Sequence, residues 1–380
     1  MSDPLRLFVL AGEASGDRIG ADLVDRLRAT GAVDLGGVGG PDLAAAGLTS
    51  LFPMSDLSVM GFEDVLKRLP LLLWRVRQTA RAIVSDRPDV AVLIDSQVFA
   101  QAVARRVRRA APAQRLVLYV APTVWAWKPE RAAALRPLFD EVLAVLPFEP
   151  EVMKTLGGPA TSYVGHPALG RFPMRPVQPE RGPLLLLPGS RPGELRRHLP
   201  VIRAVAEQLA GHPAVSGLRL PTLTNLAERL RAEVATWSAP VEVVTGDDRL
   251  GAFARAVAAV AVSGTVTLEL ALAGVPLVAI YLGDRRQARE YERLGRPAFA
   301  LPNIVANGPV VAELPLATSD PAPVIAAMRA LLDSPDACAE QAAAFRSIRL
   351  LMERGTSAAP RTDPAERVRA IAAQRLSMGT

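Results

Sequence analysis

The sequence predicts an α/β protein of two doubly wound, parallel-sheet units, and three observations predict it. A chain of 380 residues with 50% hydrophobic content exceeds one core, because single cores stop growing at about 250 to 300 residues. Short apolar, β-branched runs alternate with helical patterns from the start, as expected of parallel strands joined by crossover helices. The alternation halts at a proline-rich stretch, Pro167 to Pro183, with Pro173, Pro176 and Pro179 inside it, and then resumes.

The first strand is Leu5 to Ala11, followed by a glycine loop and a helix from about Asp17 to Ala29. Strands at Val90 to Ile94, Leu116 to Val120 and Val142 to Leu146 complete a first domain, placed at 1–170. The proline stretch suits a linker. A second domain, 183–350, opens with the strand Leu184 to Leu187 and a helix reaching about Leu209. Strands Gly217 to Leu220, Val241 to Val244, Ala258 to Val262 and Pro276 to Ile280 follow, with a helix between the last two. Alanine-rich helical stretches run from Pro321 to the end. The last of them, 351–380, can pack on either domain and assigns no chemistry.

Charged residues make up 22% of the chain, and no run approaches the roughly 18 consecutive apolar residues of a membrane span. A formal charge of +6 rests almost wholly on arginine, with lysine only at Lys67, Lys128 and Lys154. The basic residues are spread along the chain without an aromatic-interleaved platform, so nucleic acid is not expected. Anionic small molecules, phosphorylated lipids or a membrane surface fit better. No export signal is read after Met1, which predicts a cytoplasmic protein. Cys338 is the only cysteine, excluding a disulfide framework and a cysteine-rich metal site.

In open parallel sheets, ligands bind beyond the carboxyl ends of the strands. Gly12-Glu13-Ala14-Ser15-Gly16-Asp17 leaves the first strand and enters a helix; either it presents Glu13 and backbone N–H groups to a ligand, or it is a tight turn in which Ser15 or Asp17 caps the helix. Neither this loop nor Gly36-Gly37-Val38-Gly39-Gly40 fits G-x-G-x-x-G, and no P-loop pattern is present, which disfavours nicotinamide and P-loop chemistry. Asp95 ends the strand Val90 to Ile94 and fits two roles, a general base or a helix N-cap.

Leu187-Pro188-Gly189-Ser190-Arg191 feeds a helix N-terminus, with Glu194 one turn on. It is a phosphate site in outline or a structural turn. Ser263-Gly264-Thr265 ends another strand, and Glu269 lies one turn deeper on the same helix face. That set suits a phosphate and a ribose, or a capped helix with a solvated Glu. With no D-x-D triplet and three histidines, no divalent metal and no cofactor is suggested. The segment from Leu66 to Arg77 is apolar and basic together and fits an interfacial helix or a core-packed one, with Pro70 breaking or starting it. Trp125 and Trp127 either line a cleft or pack between domains, and His166 reads as a packed or turn histidine.

Taken in order, Ala11-Gly12-Glu13-Ala14-Ser15-Gly16-Asp17, Val59-Met60-Gly61-Phe62, Ile94-Asp95, Val124-Trp125-Ala126-Trp127, Leu146-Pro147-Phe148-Glu149, Gly165-His166-Pro167, Leu187-Pro188-Gly189-Ser190-Arg191, Ser263-Gly264-Thr265 and Leu301-Pro302-Asn303 resemble the lipid A disaccharide synthases. The match spans about residues 7 to 315. The resemblance implies a GT-B fold of two Rossmann-like domains and an inverting, metal-free transfer. Its donor would be UDP-2,3-diacylglucosamine and its acceptor an acylated sugar phosphate, 2,3-diacylglucosamine 1-phosphate. By the same resemblance Asp95 is the base and Glu13 a second essential carboxylate. Gly189, Ser190, Arg191, Ser263, Gly264, Thr265 and Glu269 meet UDP, and Asn303, Ser15, Met60 and Trp127 are further substrate contacts. It also suggests a place on the inner membrane surface and leaves a homo-oligomer open.

The sequence departs from the family pattern where Asp95 is followed by Ser96-Gln97-Val98-Phe99-Ala100 in place of proline, aspartate, phenylalanine and asparagine. After Tyr281 the family tends to be apolar, aromatic and basic, whereas Gly283 to Glu290 is strongly charged. Near the end, Ala312-Glu313-Leu314-Pro315-Leu316 lacks an expected glutamine after the second leucine. These changes fall on acceptor and acyl recognition, so a divergent enzyme using another UDP sugar or glycolipid, or a lapsed glycolipid binder, is the competing expectation.

Overall fold

A computed structural model describes residues 3–57, 62–246 and 248–374, with side chains for all of these but 62–67, Arg285 and Arg286. The chain divides into two compact units, Met1–Pro167 with Arg354–Thr380, and Ala168–Glu353.

The first unit runs β1 (Leu5–Ala11), α1 (Ala14–Ala29), β2 (Val33–Val38), α2 (Pro41–Ala45), α3 (Phe62–Asp86), β3 (Val90–Ile94), α4 (Gln97–Ala110), β4 (Leu116–Tyr119), α5 (Arg131–Leu135), β5 (Glu141–Ala144), α6 (Glu149–Thr155) and β6 (Ala160–Tyr163). The second runs α7 (Ala168–Arg171), β7 (Gly182–Leu187), α8 (Pro192–Leu209), β8 (Val215–Pro221), α9 (Ala227–Val234), β9 (Val241–Val244), α10 (Asp248–Arg255), β10 (Ala258–Val262), α11 (Thr265–Ala273), β11 (Leu277–Leu282), α12 (Arg285–Arg293), α13 (Leu301–Ala306), β12 (Ala312–Leu316), α14 (Ala322–Leu332) and α15 (Pro335–Arg354). The last helix, α16 (Pro364–Ala373), returns to the first unit.

Both sheets are six-stranded and parallel, in the orders β2-β1-β3-β4-β5-β6 and β12-β11-β10-β7-β8-β9. Their central strands are continuous apolar runs because helices cover both faces, so no residue of β3, β4, β7 or β10 reaches solvent. Strand order reverses between β1 and β3 in one sheet and between β7 and β10 in the other. These are the switch points, where crossover helices diverge and leave a crevice beyond the strand ends.

Three strands escape the sequence reading. β2 contains Gly36 and Gly37, ordinarily turn residues. A Cβ at Gly37 would lie 1.9 Å from the Val9 carbonyl oxygen, so close backbone approach requires glycine inside this strand. β6 is polar and follows Gly157-Gly158-Pro159. β12 carries Pro315, tolerated because the strand is at the sheet edge. The helix α3 runs through Pro70 rather than breaking or starting there, forgoing one backbone bond.

Candidate active site

At the first switch point, β1 and β3 are hydrogen-bonded neighbours, with Ala11 opposite Ile94. Their outgoing loops therefore abut, and Glu13 and Asp95 share the carboxyl edge of the sheet. A Cβ on Gly12 would fall 2.1 Å from Ser96 Oγ, so the two loops meet closely enough that a side chain there would displace the Ser96 hydroxyl. Glu13 is the N-cap residue of α1, with no capping bond from its side chain, and it and Ser15 are exposed.

Asp95 and Ser96 both have left-handed backbones, φ 52° and 40°, a region that costs non-glycine residues free energy and clusters at functional sites. The neighbouring ladder holds them there, with the Asp95 amide donating to the Tyr119 carbonyl at 2.9 Å. Ser96, not Asp95, occupies the N-cap position of α4. Val120 is a rarer outlier, φ 76° on a β-branched residue. Its N–H donates to Leu143 O at 2.9 Å, and its carbonyl accepts from Gln97 Nε2 at 3.0 Å. That bond fixes the Gln97 amide orientation and leaves its Oε1 buried without a hydrogen-bond partner. Gln97 is thus one of the departures from the family pattern that bears on the strained edge. Ala100, by contrast, is core, while Val98 is 81% exposed.

Asp17 does not cap its own helix. It is fully buried, and its carboxylate accepts from the amides of Gly40 at 2.7 Å, Asp42 at 2.8 Å and Leu43 at 3.3 Å, capping α2 instead. Beyond β5, Glu149 is buried and accepts from Val145 and Leu146 amides at 3.1 and 3.0 Å. Burial pushes its pKa up to about 7 against those two amides and the nearby Trp125 indole. The Trp125 N–H makes no well-formed bond of its own, and its ring meets Phe148 edge-on at 5.5 Å. Trp127 is exposed in the same loop, with the Lys128 ammonium 5.5 Å from its ring centre. Burial lowers the pKa of His166 to about 4, so it is neutral near pH 7.

At the second switch point the loops after β7 and β10 lie together, since Leu187 pairs with Ala261. Gly189 turns with φ 94°, and Ser190 and Arg191 lead into α8. Glu194 accepts from the Ser190 and Arg191 amides at 3.1 and 3.2 Å and pairs with the Arg191 guanidinium at 3.1 Å. Gly264 and Thr265 are exposed at the start of α11, whose N-cap Gly264 supplies no side chain. Ser263 Oγ donates to Phe299 O at 2.7 Å. Glu269 is half-buried and salt-bridged to Arg249 at 3.3 Å, a partner that proximity in sequence could not reveal. Asn303 is buried: its amide donates to Val311 O at 3.0 Å and accepts from the Val310 and Val311 amides at 2.8 Å each, pinning the entry to β12. Met60 lies outside the described residues.

On α3, Val76, Thr79, Ala80 and Ile83 face the core, while Leu69, Leu73 and Trp74 are exposed. Arg75 is tied to Asp56 at 2.6 Å. No helix among the described residues is long and apolar enough to cross a membrane, and none of their His, Cys, Asp or Glu side chains form a group of three placed for a metal. A groove of about 1110 Å³ lies by the amino ends of β5 and β6, away from the switch points, and its Arg108 and Asp140 satisfy each other at 2.6 Å.

Two doubly wound, parallel-sheet units with loops gathered at their switch points are the GT-B fold. The architecture matches the crystal structure of CalG4, the calicheamicin glycosyltransferase, with a TM-score of 0.60 at 17% identity over 98% of this chain and 99% of that one. Residues 7–362 match the model of the lipid-A-disaccharide synthetase family. The lipid-A-disaccharide synthase of Nitrobacter hamburgensis is 42% identical over 92% of this chain and 91% of its own length, and that of Rhodopseudomonas palustris CGA009 is 41% identical over 92% of each. The chain belongs to the lipid-A-disaccharide synthase family and is a glycosyltransferase of lipid A synthesis.

Proposed function

We propose that the enzyme joins UDP-2,3-diacylglucosamine to 2,3-diacylglucosamine 1-phosphate by an inverting transfer without a metal. The acceptor 6-hydroxyl attacks the anomeric carbon, the bond from that carbon to the β-phosphate oxygen breaks, UDP leaves, and Asp95 takes the hydroxyl proton. Such base catalysis contributes about 10²- to 10⁴-fold. The observation that carries the reading is the pairing of β1 with β3 at the switch point, which brings Glu13 and a conformationally strained Asp95 to one strand edge.

The first domain, 1–170, takes the acceptor, with Glu13, Ser15 and Trp127 around it. The second, 183–350, takes UDP. Arg191 and Ser190 meet the diphosphate. The loop Ser263-Gly264-Thr265 offers exposed hydroxyl and backbone groups, and Glu269 addresses the ribose. Charge on the leaving diphosphate is met by the guanidinium and by helix N-termini, each worth about 0.3 to 1 kcal/mol to a nearby anion. Asn303 acts by shaping the chain before β12, as its three backbone bonds indicate. The exposed apolar positions of α3, flanked by Arg68, Arg77 and Arg81, rest on an anionic lipid surface at the cytoplasmic face of the inner membrane.

A second reading, another UDP sugar or glycolipid acceptor, is favoured by Val98, apolar and exposed three residues after the base, and by the charged helix α12. Purified enzyme assayed with UDP-2,3-diacylglucosamine and with UDP-N-acetylglucosamine, each with the acylated 1-phosphate, separates the two. Transfer from the diacylated donor alone is expected. Preference for the unacylated donor establishes the second reading, and no transfer from either defeats the first.

A further inference from the structure

The donor loop after β7 is exposed at Ser190 and Arg191, yet its backbone is tied down. Glu194, one turn into α8, has a side chain only 15% exposed, whereas that of Arg191 is 82% exposed. One carboxylate oxygen, Oε2, accepts from both the Ser190 and Arg191 amides, and the other, Oε1, from the Arg191 guanidinium at 3.1 Å. The carboxylate therefore fixes two consecutive peptide units of the loop and the side chain that leaves it.

Glu194 is itself anchored. Its carbonyl lies 2.8 Å from Nδ1 of His198, which is fully buried. His198 Nε2 receives the Leu282 amide at 2.9 Å. An amide can only donate, so Nε2 is the acceptor and Nδ1 carries the proton that reaches Glu194. Burial lowers the His198 pKa, which favours this neutral form. Arg197 adds a bond from Nε to the Leu282 carbonyl at 2.8 Å. Both polar backbone groups at the end of β11 are thus held by α8, across β10 and the Ser263-Gly264-Thr265 loop that lies between β7 and β11 in the sheet order.

We infer that Glu194 is a positioning residue for the donor diphosphate: it turns the Ser190 and Arg191 amides inward and aims an otherwise mobile guanidinium at the anion. This rests on the assignment of Arg191 to the diphosphate. Two of the loop amides are already bound to Glu194, so the anion meets the guanidinium, the Ser190 hydroxyl and the first turn of α8, where Arg191 as N-cap has no acceptor to offer. Orienting a long side chain before binding removes part of the entropic cost of ordering it in the complex.

The test is a double-mutant cycle on the full chain, read by UDP affinity in calorimetry and by donor KM and kcat. Glu194→Ala is expected to weaken UDP binding about tenfold and raise donor KM with kcat nearly unchanged. Glu194→Gln, whose single amide oxygen can still accept from both backbone N–H groups, is expected to recover part of the loss. In an Arg191→Ala background, Glu194→Ala should have little further effect, because the two act as one unit. Equal losses with and without Arg191 would overturn the inference and mark Glu194 as a helix cap only. An unchanged UDP affinity for Arg191→Ala alone would instead overturn the diphosphate assignment on which it rests.

Discussion

The proton abstraction proposed for Asp95 needs an aimed side chain, and at residue 95 the aim comes from the backbone. Two left-handed residues in succession, held by the Tyr119 carbonyl on one side and excluded from Gly12 by contact on the other, leave Asp95 little freedom. Asp95→Asn keeps that shape and removes the proposed base. Turnover should fall by about 10²- to 10⁴-fold with UDP affinity unchanged, since the loops proposed to hold the nucleotide belong to the other unit. Unchanged turnover removes Asp95 from the role. Burial gives Glu149 a folded pKa of about 7 against an ordinary 4.5. Its neutral form is the one the fold prefers, so its contribution to stability is present below pH 4.5 and is lost as pH rises through 7. The loss is at most about 3 kcal/mol. Glu149→Gln should therefore match the wild-type melting temperature at about pH 4 and exceed it increasingly toward pH 7. A difference independent of pH would contradict this.

Elements were legible where one physical signal governed them. β1, β3, β7 and β10 are apolar runs because both sheet faces are covered, and the loops after them were found by following the strand ends. Legibility failed where a distant partner decides the role. Asp17 sits in the first turn of α1 like an ordinary helix acid, yet its acceptors serve amides 23 to 26 residues away. Gly37 looks like a turn residue and is a strand residue for the sake of Val9. The helix α3 combines two signals, and the structure divides them, with Val76, Thr79, Ala80 and Ile83 packed inward and Leu69, Leu73 and Trp74 facing out. If the outer part meets lipid, Leu73→Glu with Trp74→Glu should abolish sedimentation with vesicles rich in anionic phospholipid while the melting temperature moves by less than about 2 °C, the scale of exposed-site changes. Retained sedimentation would place lipid contact elsewhere.

At the scale of the whole molecule, the chain leaves the first unit at Pro167, builds the second, and returns at Arg354. What makes the return segment part of the first unit is a set of bonds across hundreds of residues, invisible to any local pattern. Arg369 reaches Thr30 Oγ1 at 2.8 Å and Leu27 O at 2.7 Å, Arg26 reaches Asp363 at 3.1 Å, and Thr362 N reaches Tyr163 O at 2.9 Å. The deepest is a bidentate pair between the Arg367 guanidinium and Glu141, a carboxylate at the start of β5 that is only 4% exposed. Removing one partner of a buried pair leaves an uncompensated charge and costs about 3 to 5 kcal/mol, whereas replacing both with apolar groups is often neutral. Arg367→Met should therefore destabilise the protein by that amount in urea, and Glu141→Leu added to it should restore most of the loss. Because the second unit makes none of these bonds, hydrogen exchange in Arg367→Met should accelerate in α1, β5, β6 and α16 and leave β7 to β12 unchanged. Acceleration spread evenly over both units would mean that the return segment closes the molecule as a whole rather than its first unit.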